Sequence, residues 1–372
     1  MSASEKLKIL VVDDTILYRK IVSEILSELP NVEIVGTASN GKTAIVRIAS
    51  LKPDLITLDI DMPSMDGIEV LEEINRLEYD VGVIMLSSLT YQGSEMTVKA
   101  LELGAFDFIP KPEFDTMEAN KQYIKQRFAP MLRSFADRRE IKKILSGQSS
   151  YKSRKTPDAF VTAPEPQPVM VEKPAKARKK VRSDIVVIGI STGGPKALAA
   201  LIPDLPADIN IPILIVQHMP PLFTQSLAKS LDSKSAVRVK EAQDGDILTP
   251  NTIFIAPGGK QMKVEKKENG VKFLRICDDP PENSCKPSVD YLFRSVAEHF
   301  GEKATGVIMT GMGSDGSLGI EAMKARGAFI IAQDEASCTV FGMPKKPIES
   351  GLADLISPLD KIAAEIINAV KS

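Results

Sequence analysis

The chain has 372 residues, a length typical of two or three domains. Its 47 lysines and arginines nearly balance its 49 aspartates and glutamates, so no global basic field favours nucleic acid or an anionic membrane as a partner. Hydrophobic residues make up 43% and charged residues 26%, the usual globular mix. No apolar run approaches the ~20 residues that a spanning helix needs, so we expect no membrane insertion. Because the charges balance, we also expect no nucleic-acid partner.

The N-terminus and the cysteines bear on cellular location. The first residues, MSASEKLKILVVDD, lack the apolar core of a signal peptide. Cys277, Cys285 and Cys338 are too few and too scattered to indicate a disulfide framework or a clustered metal site. We therefore expect a cytoplasmic chain with reduced thiols.

The first predicted domain spans residues 1–125 and alternates apolar strands with helical patterns. Apolar residues such as Ile21, Ile25 and Leu29 recur at helical spacing between the strands. Five strands and short loops predict a flavodoxin-like, doubly wound α/β fold. The predicted strands are Lys8–Val12, Val32–Ala38, Leu55–Asp59, Gly82–Leu86 and Asp107–Ile109.

Residues 126–183 are predicted to form a helical extension followed by a linker. We expect the helix to be kinked or broken near Pro130. Residues 147–183 contain five prolines, nine lysines and arginines, and no leucine or isoleucine. Such a segment cannot bury a core, so we interpret it as a mobile linker. Its basic run, KPAKARKKVR, could contact nucleic acid or anionic lipid, but a solvated linker is the preferred interpretation.

The second predicted domain spans residues 184–372. Its apolar strands read DIVVIGI, PILIVQ, TIFIAP, TGVIMT and AFIIAQ, and a loop or a helical pattern follows each of them. This alternation predicts a second doubly wound, mostly parallel α/β sheet.

Charged side chains follow the strands of the first domain. Asp13 and Asp14 end the first strand, Asp59 ends the third, and Lys111 follows the fifth. Because the carboxyl ends of parallel strands share one edge, we expect these groups to converge. Three carboxylates together need a cation, and a few hard oxygen ligands suit Mg²⁺. Ser87, at the end of the fourth strand, and Lys111 could then hold phosphoryl oxygens. Simple loop caps are the alternative, which the coincidence of four strand ends disfavours.

These strand ends, with the turns DIDMP and MDG, resemble the receiver domain of two-component response regulators over residues 7–125. The resemblance implies that Asp59 is the phospho-acceptor. It implies that Asp13 and Asp14 hold Mg²⁺ directly or through water, and that Asp59 is a ligand of the same ion. The backbone carbonyl of Asp61 would be a further ligand.

The same resemblance implies a partner and a conformational switch. A histidine kinase would supply a phosphohistidine, which the Asp59 carboxylate attacks while Mg²⁺ and Lys111 offset the developing charge. Ser87 and Lys111 occupy the switch positions of that family, and Phe108 matches its aromatic switch position. The Lys111–Pro112 peptide is expected to be cis, as is typical of receivers.

A glycine-rich turn follows the first strand of the second domain. A dinucleotide phosphate site would need G-x-G-x-x-G spacing and an acid after the second strand, and both are missing. The pattern Gly189-x-Ser191-x-Gly193 instead fits a nucleophile elbow, in which small residues expose a serine hydroxyl. On its own this pattern does not exclude a plain glycine-rich loop.

A serine nucleophile needs a base, and the chain has two histidines. His218 follows the second strand, which places it on the same sheet edge as Ser191, so it is the preferred base. His299 lies near the end of a predicted helix, where an imidazole favours the negative helix terminus. Two acids could orient this base: Asp315 follows TGVIMT in a glycine-rich loop, and Asp334, the second choice, follows AFIIAQ. Either could instead cap a helix.

The motifs GISTGGP, VQHMP, FIAPGG and TGMGSDG, in this order behind a receiver, resemble the chemotaxis protein-glutamate methylesterase/glutamine deamidase family. The resemblance covers nearly the whole chain except the linker. It implies that Ser191 is the nucleophile, His218 the base and Asp315 the orienting acid. The backbone N–H of Met312 would help to bind the oxyanion, and no cofactor is expected in the esterase site.

The resemblance also implies the function. A phosphorylation-activated serine hydrolase would remove methyl esters from glutamates of methyl-accepting chemoreceptors and deamidate glutamines there, for adaptation in chemotaxis. Two other classes compete on the residues alone. One is a response regulator with a DNA-binding output domain, for which no basic helix-turn-helix is evident. The other is a binding module in which the glycine-rich loop grips phosphate.

Overall fold

A computed structural model describes residues 6–145 and 181–371. The predicted linker and its basic run therefore fall largely on residues outside the described ranges. No helix within the described ranges combines the length and the apolar character needed to cross a membrane.

The N-terminal half is a five-stranded parallel sheet in the order β2-β1-β3-β4-β5, flanked by helices. The predicted flavodoxin-like fold is confirmed, and the observed strand bounds differ from the predicted ones by a single residue at most. The strands are β1 Leu7–Val12, β2 Val32–Ala38, β3 Leu55–Asp59, β4 Gly82–Ser87 and β5 Asp107–Pro110. The helices are α1 Ile16–Ser27, α2 Gly41–Leu51, α3 Gly67–Arg76, α4 Tyr91–Glu102 and α5 Met117–Leu145.

The expected break near Pro130 is wrong, since α5 continues through this proline to Leu145. A proline inside a helix costs about 3 kcal/mol because it removes one backbone hydrogen bond. The neighbouring side chains offset that cost, because Phe128, Met131 and Leu132 are buried against β1, β4 and β5. Packing therefore keeps the helix continuous.

The C-terminal half contains a seven-stranded sheet in the order β14-β13-β12-β6-β7-β9-β8, in which every pair of neighbours is parallel. An antiparallel hairpin, β10-β11, packs beside it. The strands are β6 Ile185–Ile190, β7 Pro212–Gln217, β8 Arg238–Glu241, β9 Thr252–Ile255, β10 Gln261–Lys266, β11 Lys272–Cys277, β12 Ala304–Ile308, β13 Phe329–Gln333 and β14 Leu355–Ser357. The helices are α6 Gly194–Leu201, α7 Phe223–Asp232, α8 Val289–Phe300, α9 Ser317–Ala325, α10 Lys345–Glu349 and α11 Leu359–Lys371.

The central strands of this sheet are continuous apolar runs because helices cover both of its faces. Every residue of β6 and β7 is buried. The loops after these two strands and after β12 meet at the carboxyl edge of the sheet, where open α/β sheets bind ligands.

The two halves pack together through α4, which contacts α6 and α7. The Ser94 and Ser226 hydroxyl oxygens are 2.7 Å apart and buried in this contact. At its rim the Ser230 hydroxyl donates to the Glu102 carboxylate over 2.7 Å. The first half is thereby held against the carboxyl edge of the second sheet.

Candidate active site and phosphorylation site

Three carboxylates converge at the carboxyl edge of the first sheet, as the strand order predicted. Oxygens of Asp13, Asp14 and Asp59 lie within 4.8 Å of one another. Asp13 and Asp59 are buried, whereas Asp14 is exposed. The Lys111 ammonium is 2.7 Å from an Asp59 oxygen and 3.1 Å from an Asp13 oxygen, so it offsets part of the negative charge.

The donor set fits Mg²⁺. Oδ1 of Asp59 is buried and accepts no hydrogen bond within the described residues, which leaves one hard oxygen free for a cation. Burial raises the pKa of Asp59, Lys111 opposes the rise, and the result is a pKa of about 6. A bound cation would favour the carboxylate form that a nucleophile requires.

Asp61 takes a different position from the three clustered carboxylates. Its side chain accepts a hydrogen bond of 3.2 Å from Ser88, and its backbone hydrogen-bonds to the Asp59 carboxylate. The prediction for Asp61 concerns its carbonyl oxygen, so the side chain is free to vary without removing that ligand.

The three residues predicted to act as switches differ in what they touch. Lys111 lies within the carboxylate cluster, but the buried Ser87 hydroxyl is oriented toward α4, where Thr97 donates to it over 2.6 Å. The Phe108 ring packs on Phe223 of the second half with ring centroids 4.6 Å apart. Lys111–Pro112 is trans, contrary to expectation, and Lys286–Pro287 is the cis peptide found in the described ranges. Both isomers are open to an X-Pro bond because the preference for trans is small.

We predict that Asp59→Asn abolishes Mg²⁺-dependent labelling by radiolabelled acetyl phosphate, because the amide is not a nucleophile. Asp61→Asn is the matched control and should keep the label, since only its carbonyl is assigned a role. Chelation with EDTA should prevent labelling of both the native and the control protein. A label that persists on Asp59→Asn would move the acceptor to another residue.

The turn after β6 exposes Ser191 because glycines allow a tight backbone path. Gly193 has φ of 78°, and a Cβ on Gly194 would lie 1.8 Å from the Gln217 side chain. The Gln217 amide in turn donates to the Ser191 carbonyl over 3.0 Å. Ser191 and His218 line one small cavity at the sheet edge. The Ser191 hydroxyl forms no hydrogen bond within residues 6–145 and 181–371.

His218 and Asp315 are joined directly. Nε2 of His218 is 2.8 Å from Oδ2 of Asp315, and their side chains are 14% and 2% exposed. Because Nε2 is engaged by the carboxylate, Nδ1 is the ring nitrogen left to take a proton from a nucleophile. The Asp315 carboxylate thus fixes the orientation of the imidazole ring.

The start of α8 holds Asp315 in place. Its carboxylate accepts the backbone N–H groups of Val289 over 2.7 Å and of Asp290 over 3.1 Å, and the Ser288 hydroxyl over 2.9 Å. Burial raises the pKa of Asp315, but the His218 contact and these donors outweigh burial and hold it below its usual range. Asp315 therefore stays ionised beside the imidazole.

Asp334 and His299 are the alternatives to Asp315 and His218 that the sequence offered. Asp334 accepts the backbone N–H and the hydroxyl of Ser337, so it orders a local turn. His299 lies in the last turn of α8, roughly 15 Å along the helix axis from the end that binds Asp315. Between the two acids that the sequence left open, the geometry favours Asp315.

Met312 is the residue predicted to supply an oxyanion donor. It follows Gly311, where a Cβ would lie 2.8 Å from the Ser191 side chain. The Met312 side chain packs against the apolar cluster of the first half, together with Val340. The loop beside Ser191 is therefore in contact with the N-terminal domain.

Burial lowers the pKa of His218, but its hydrogen bonds to Asp315 and Cys285 outweigh burial and raise the pKa to about 9. We predict that kcat/KM for a small ester rises with pH up to about 9, because only the neutral imidazole takes a proton. Initial rates across pH 6–10, corrected for hydroxide hydrolysis, measure this. A plateau below pH 7 would contradict a base held by Asp315.

Several residues of the site escaped sequence reasoning. The Asn283 amide donates to both Asp290 and Asp315, and Cys285 Sγ lies 3.8 Å from Nδ1 of His218. Both belong to the loop before α8, which has no strand-end signal. The tetrapeptide PSVD, with serine as the N-cap of α8, was the available hint.

The family models that match this chain agree with this architecture. A family model for the response regulator receiver domain matches residues 9–122, and one for CheB methylesterase matches residues 186–366. A protein-glutamate methylesterase/protein-glutamine glutaminase of Desulfotalea psychrophila is 51% identical to this chain over 368 residues. The alignment covers 99% of each chain. A protein of the same name from Bacillus subtilis is 43% identical, and the alignment covers 98% of this chain and 99% of that protein. The crystal structure of a Thermotoga maritima CheB methylesterase catalytic domain is 45% identical, has a TM-score of 0.49, and covers 50% of this chain and 99% of its own.

A receiver joined to a second α/β domain of this kind defines a response regulator with a hydrolase output domain. The chain belongs to the protein-glutamate methylesterase/protein-glutamine glutaminase (CheB) family.

Proposed function

We propose that this protein is a phosphorylation-activated hydrolase that demethylates glutamate methyl esters and deamidates glutamines on methyl-accepting chemoreceptors, for adaptation in chemotaxis. Residues 1–125 form the receiver, 126–183 the extension and linker, and 184–372 the methylesterase domain. The observation that carries the proposal is that His218, which is paired with Asp315, lines one cavity together with Ser191 at the elbow turn.

Ser191 acts as the nucleophile. Its oxygen attacks the γ-carbonyl carbon of the substrate while His218 accepts the proton at Nδ1. The tetrahedral oxyanion is stabilised by the Met312 N–H. His218 then protonates the leaving methanol, or ammonia from a glutamine, and water releases the glutamate carboxylate by the same steps in reverse.

Asp59 receives the phosphoryl group from a histidine kinase. Asp13, Asp14, Asp59 and the Asp61 carbonyl would hold Mg²⁺, which supplies charge neutralisation for phosphoryl transfer when it is bound. Lys111 would bind a phosphoryl oxygen, and its ammonium, 2.7 Å from Asp59, supports this role.

The receiver restrains the hydrolase by covering its site. Leu101, Asp107 and Phe108 form one wall of the cavity that holds Ser191 and His218. The Thr192 hydroxyl, next to Ser191, donates to Asp107 over 2.6 Å. The cavity measures about 30 Å³, room for a water or two and not for a glutamyl methyl ester. Phosphorylation would therefore have to open this interface for a receptor helix to enter.

We predict that separating the halves activates the unphosphorylated enzyme. Ser94→Arg places a long charged side chain in the buried contact with Ser226. Because the open state is a minor one in the unphosphorylated protein under this proposal, the substitution should raise methanol release from methylated receptor about 10- to 100-fold. Ser50→Arg, on an exposed receiver position, is the matched control and should change nothing.

Deletion of residues 1–183 should give a similar increase on receptor, and a smaller one on an ester small enough to pass the interface. If neither the deletion nor Ser94→Arg accelerates turnover on receptor, simple occlusion is wrong. Phosphorylation would then act by recruitment or by direct activation.

A further inference from the structure

Cys285 lies beside the ring nitrogen of His218 that Asp315 leaves free. Its sulfur is 3.8 Å from Nδ1, although 67 residues separate the two in sequence. The loop holds the thiol there, since Cys285 and Glu282 exchange backbone hydrogen bonds of 2.7 and 3.1 Å. Asn283 and Ser284 adopt left-handed φ of 50° and 62° to make this turn. The placement of the thiol is thus built into the loop.

The spacing of the two atoms matches the coordination sphere of zinc. With Zn–S of about 2.3 Å and Zn–N of about 2.0–2.1 Å, a tetrahedral ion separates sulfur and nitrogen by about 3.6 Å. The observed 3.8 Å needs almost no adjustment. Cys285 and His218 are both partly exposed, so an ion can reach them from solvent.

Asp315 supplies the supporting contact that such sites require. A metal-binding histidine usually donates its other N–H to a carboxylate, which fixes the tautomer and the ring orientation. Nε2 of His218 has this partner at 2.8 Å. A potential ligand oxygen of Asp315 also lies within 4.8 Å of the sulfur and the imidazole. Its carboxylate is occupied by the donors at the start of α8, so it orients the histidine and does not bind the ion.

We propose that Cys285 and His218 form a binding site for a thiophilic divalent cation, of which Zn²⁺ is the reference, and that its occupation blocks the hydrolase. On binding, the thiol S–H bond breaks and the protonated imidazole loses its Nδ1 proton. Both protons pass to water, a metal–sulfur bond forms, and the Nδ1 lone pair binds the same ion. Water completes the coordination sphere. The inhibitory part rests on the proposed function, because it requires Nδ1 to be the base; the binding part does not.

The ligand types separate this site from the acidic cluster of the receiver. Thiolate and imidazole select Zn²⁺ or Co²⁺, whereas carboxylate and carbonyl oxygens select Mg²⁺. An excess of Mg²⁺ therefore should not occupy the Cys285–His218 site, and both cations can be present in one assay.

Binding is measured with Co²⁺ on the full chain in excess Mg²⁺, through the thiolate-to-cobalt charge-transfer absorption. The native protein and Cys277→Ser should each develop this band and saturate at one Co²⁺ per chain, and added Zn²⁺ should remove it. Cys285→Ser and Cys285→Ala should both lack it. Absence of the band from the native protein, or its survival in either Cys285 variant, would overturn the site.

Inhibition is measured as the zinc concentration that halves hydrolysis of a small ester, relative to the zinc-free rate of each variant. For Cys285→Ser this concentration should be at least about tenfold higher than for the native protein, as expected from the loss of a ligand. Equal zinc sensitivity of both proteins would overturn the inhibitory role of Cys285. A cobalt band without any zinc inhibition would keep the metal site and contradict His218 as the base, so the two failures are distinguishable.

Discussion

Ser191→Ala should reduce ester hydrolysis by roughly 10⁴- to 10⁶-fold and leave the fold intact. The substitution removes the one atom that forms the acyl intermediate, while the elbow keeps its glycines and the Gln217 contact to the Ser191 carbonyl. Methanol release from methylated receptor is the measurement. Thermal unfolding and Mg²⁺-dependent labelling of Asp59 serve as controls for folding of the two domains.

A loss of less than about tenfold in Ser191→Ala would contradict a serine mechanism. It would direct attention to Cys285, whose sulfur lies 3.8 Å from the same base. Ser191→Ala combined with Cys285→Ala would then show whether the thiol carries the remaining rate.

Asp315→Asn should lower the turnover number by about 10⁴-fold, because an amide at Nε2 no longer stabilises the imidazolium or the required tautomer. Asp334→Asn is the matched control. It disturbs only the turn with Ser337, so its rate should stay within about threefold of the native enzyme.

The reverse ranking of these two variants would mean that the orienting acid is misassigned. Asp315→Asn also changes the group that accepts the hydrogen bonds from the start of α8. The unfolding midpoint of this variant must therefore be compared with that of the native protein. A rate loss in a protein that is still folded at assay temperature isolates the catalytic role.

The fold was largely predictable because most of its strands are recognisable from their local sequence. β1, β3 and β7 are short apolar runs that end in acids or in Gln-His, and helical spacing fills the intervals. The edge strands were missed for a physical reason. β8 reads RVKE and β14 has only three residues, so neither carries the apolar run of a central strand.

The site was only partly predictable. Strand-end logic placed Ser191, His218 and the receiver carboxylates, because parallel strands must bring their ends to one edge. It could not place Cys285 or Asn283, whose positions depend on how a loop of irregular backbone docks on α8. Nor could it choose between Asp315 and Asp334, since both follow parallel strands. That choice depends on which loop reaches His218.

The contact between the two halves could not be predicted from the sequence. Phe108 packs on Phe223, and Asp107 binds Thr192, through side chains that belong to separate apolar patterns. Each pattern is satisfied within its own sheet, so nothing local indicates the pairing.

Ser191 is proposed to be the nucleophile of a site that the receiver controls. The decisive experiment treats the full-length protein with a fluorophosphonate and locates the adduct by peptide mass spectrometry, with and without acetyl phosphate and Mg²⁺. We predict an adduct on Ser191 that forms faster when Asp59 is phosphorylated, and that does not accelerate in Asp59→Asn. An adduct on another residue, or no adduct on the phosphorylated protein, would contradict the claim.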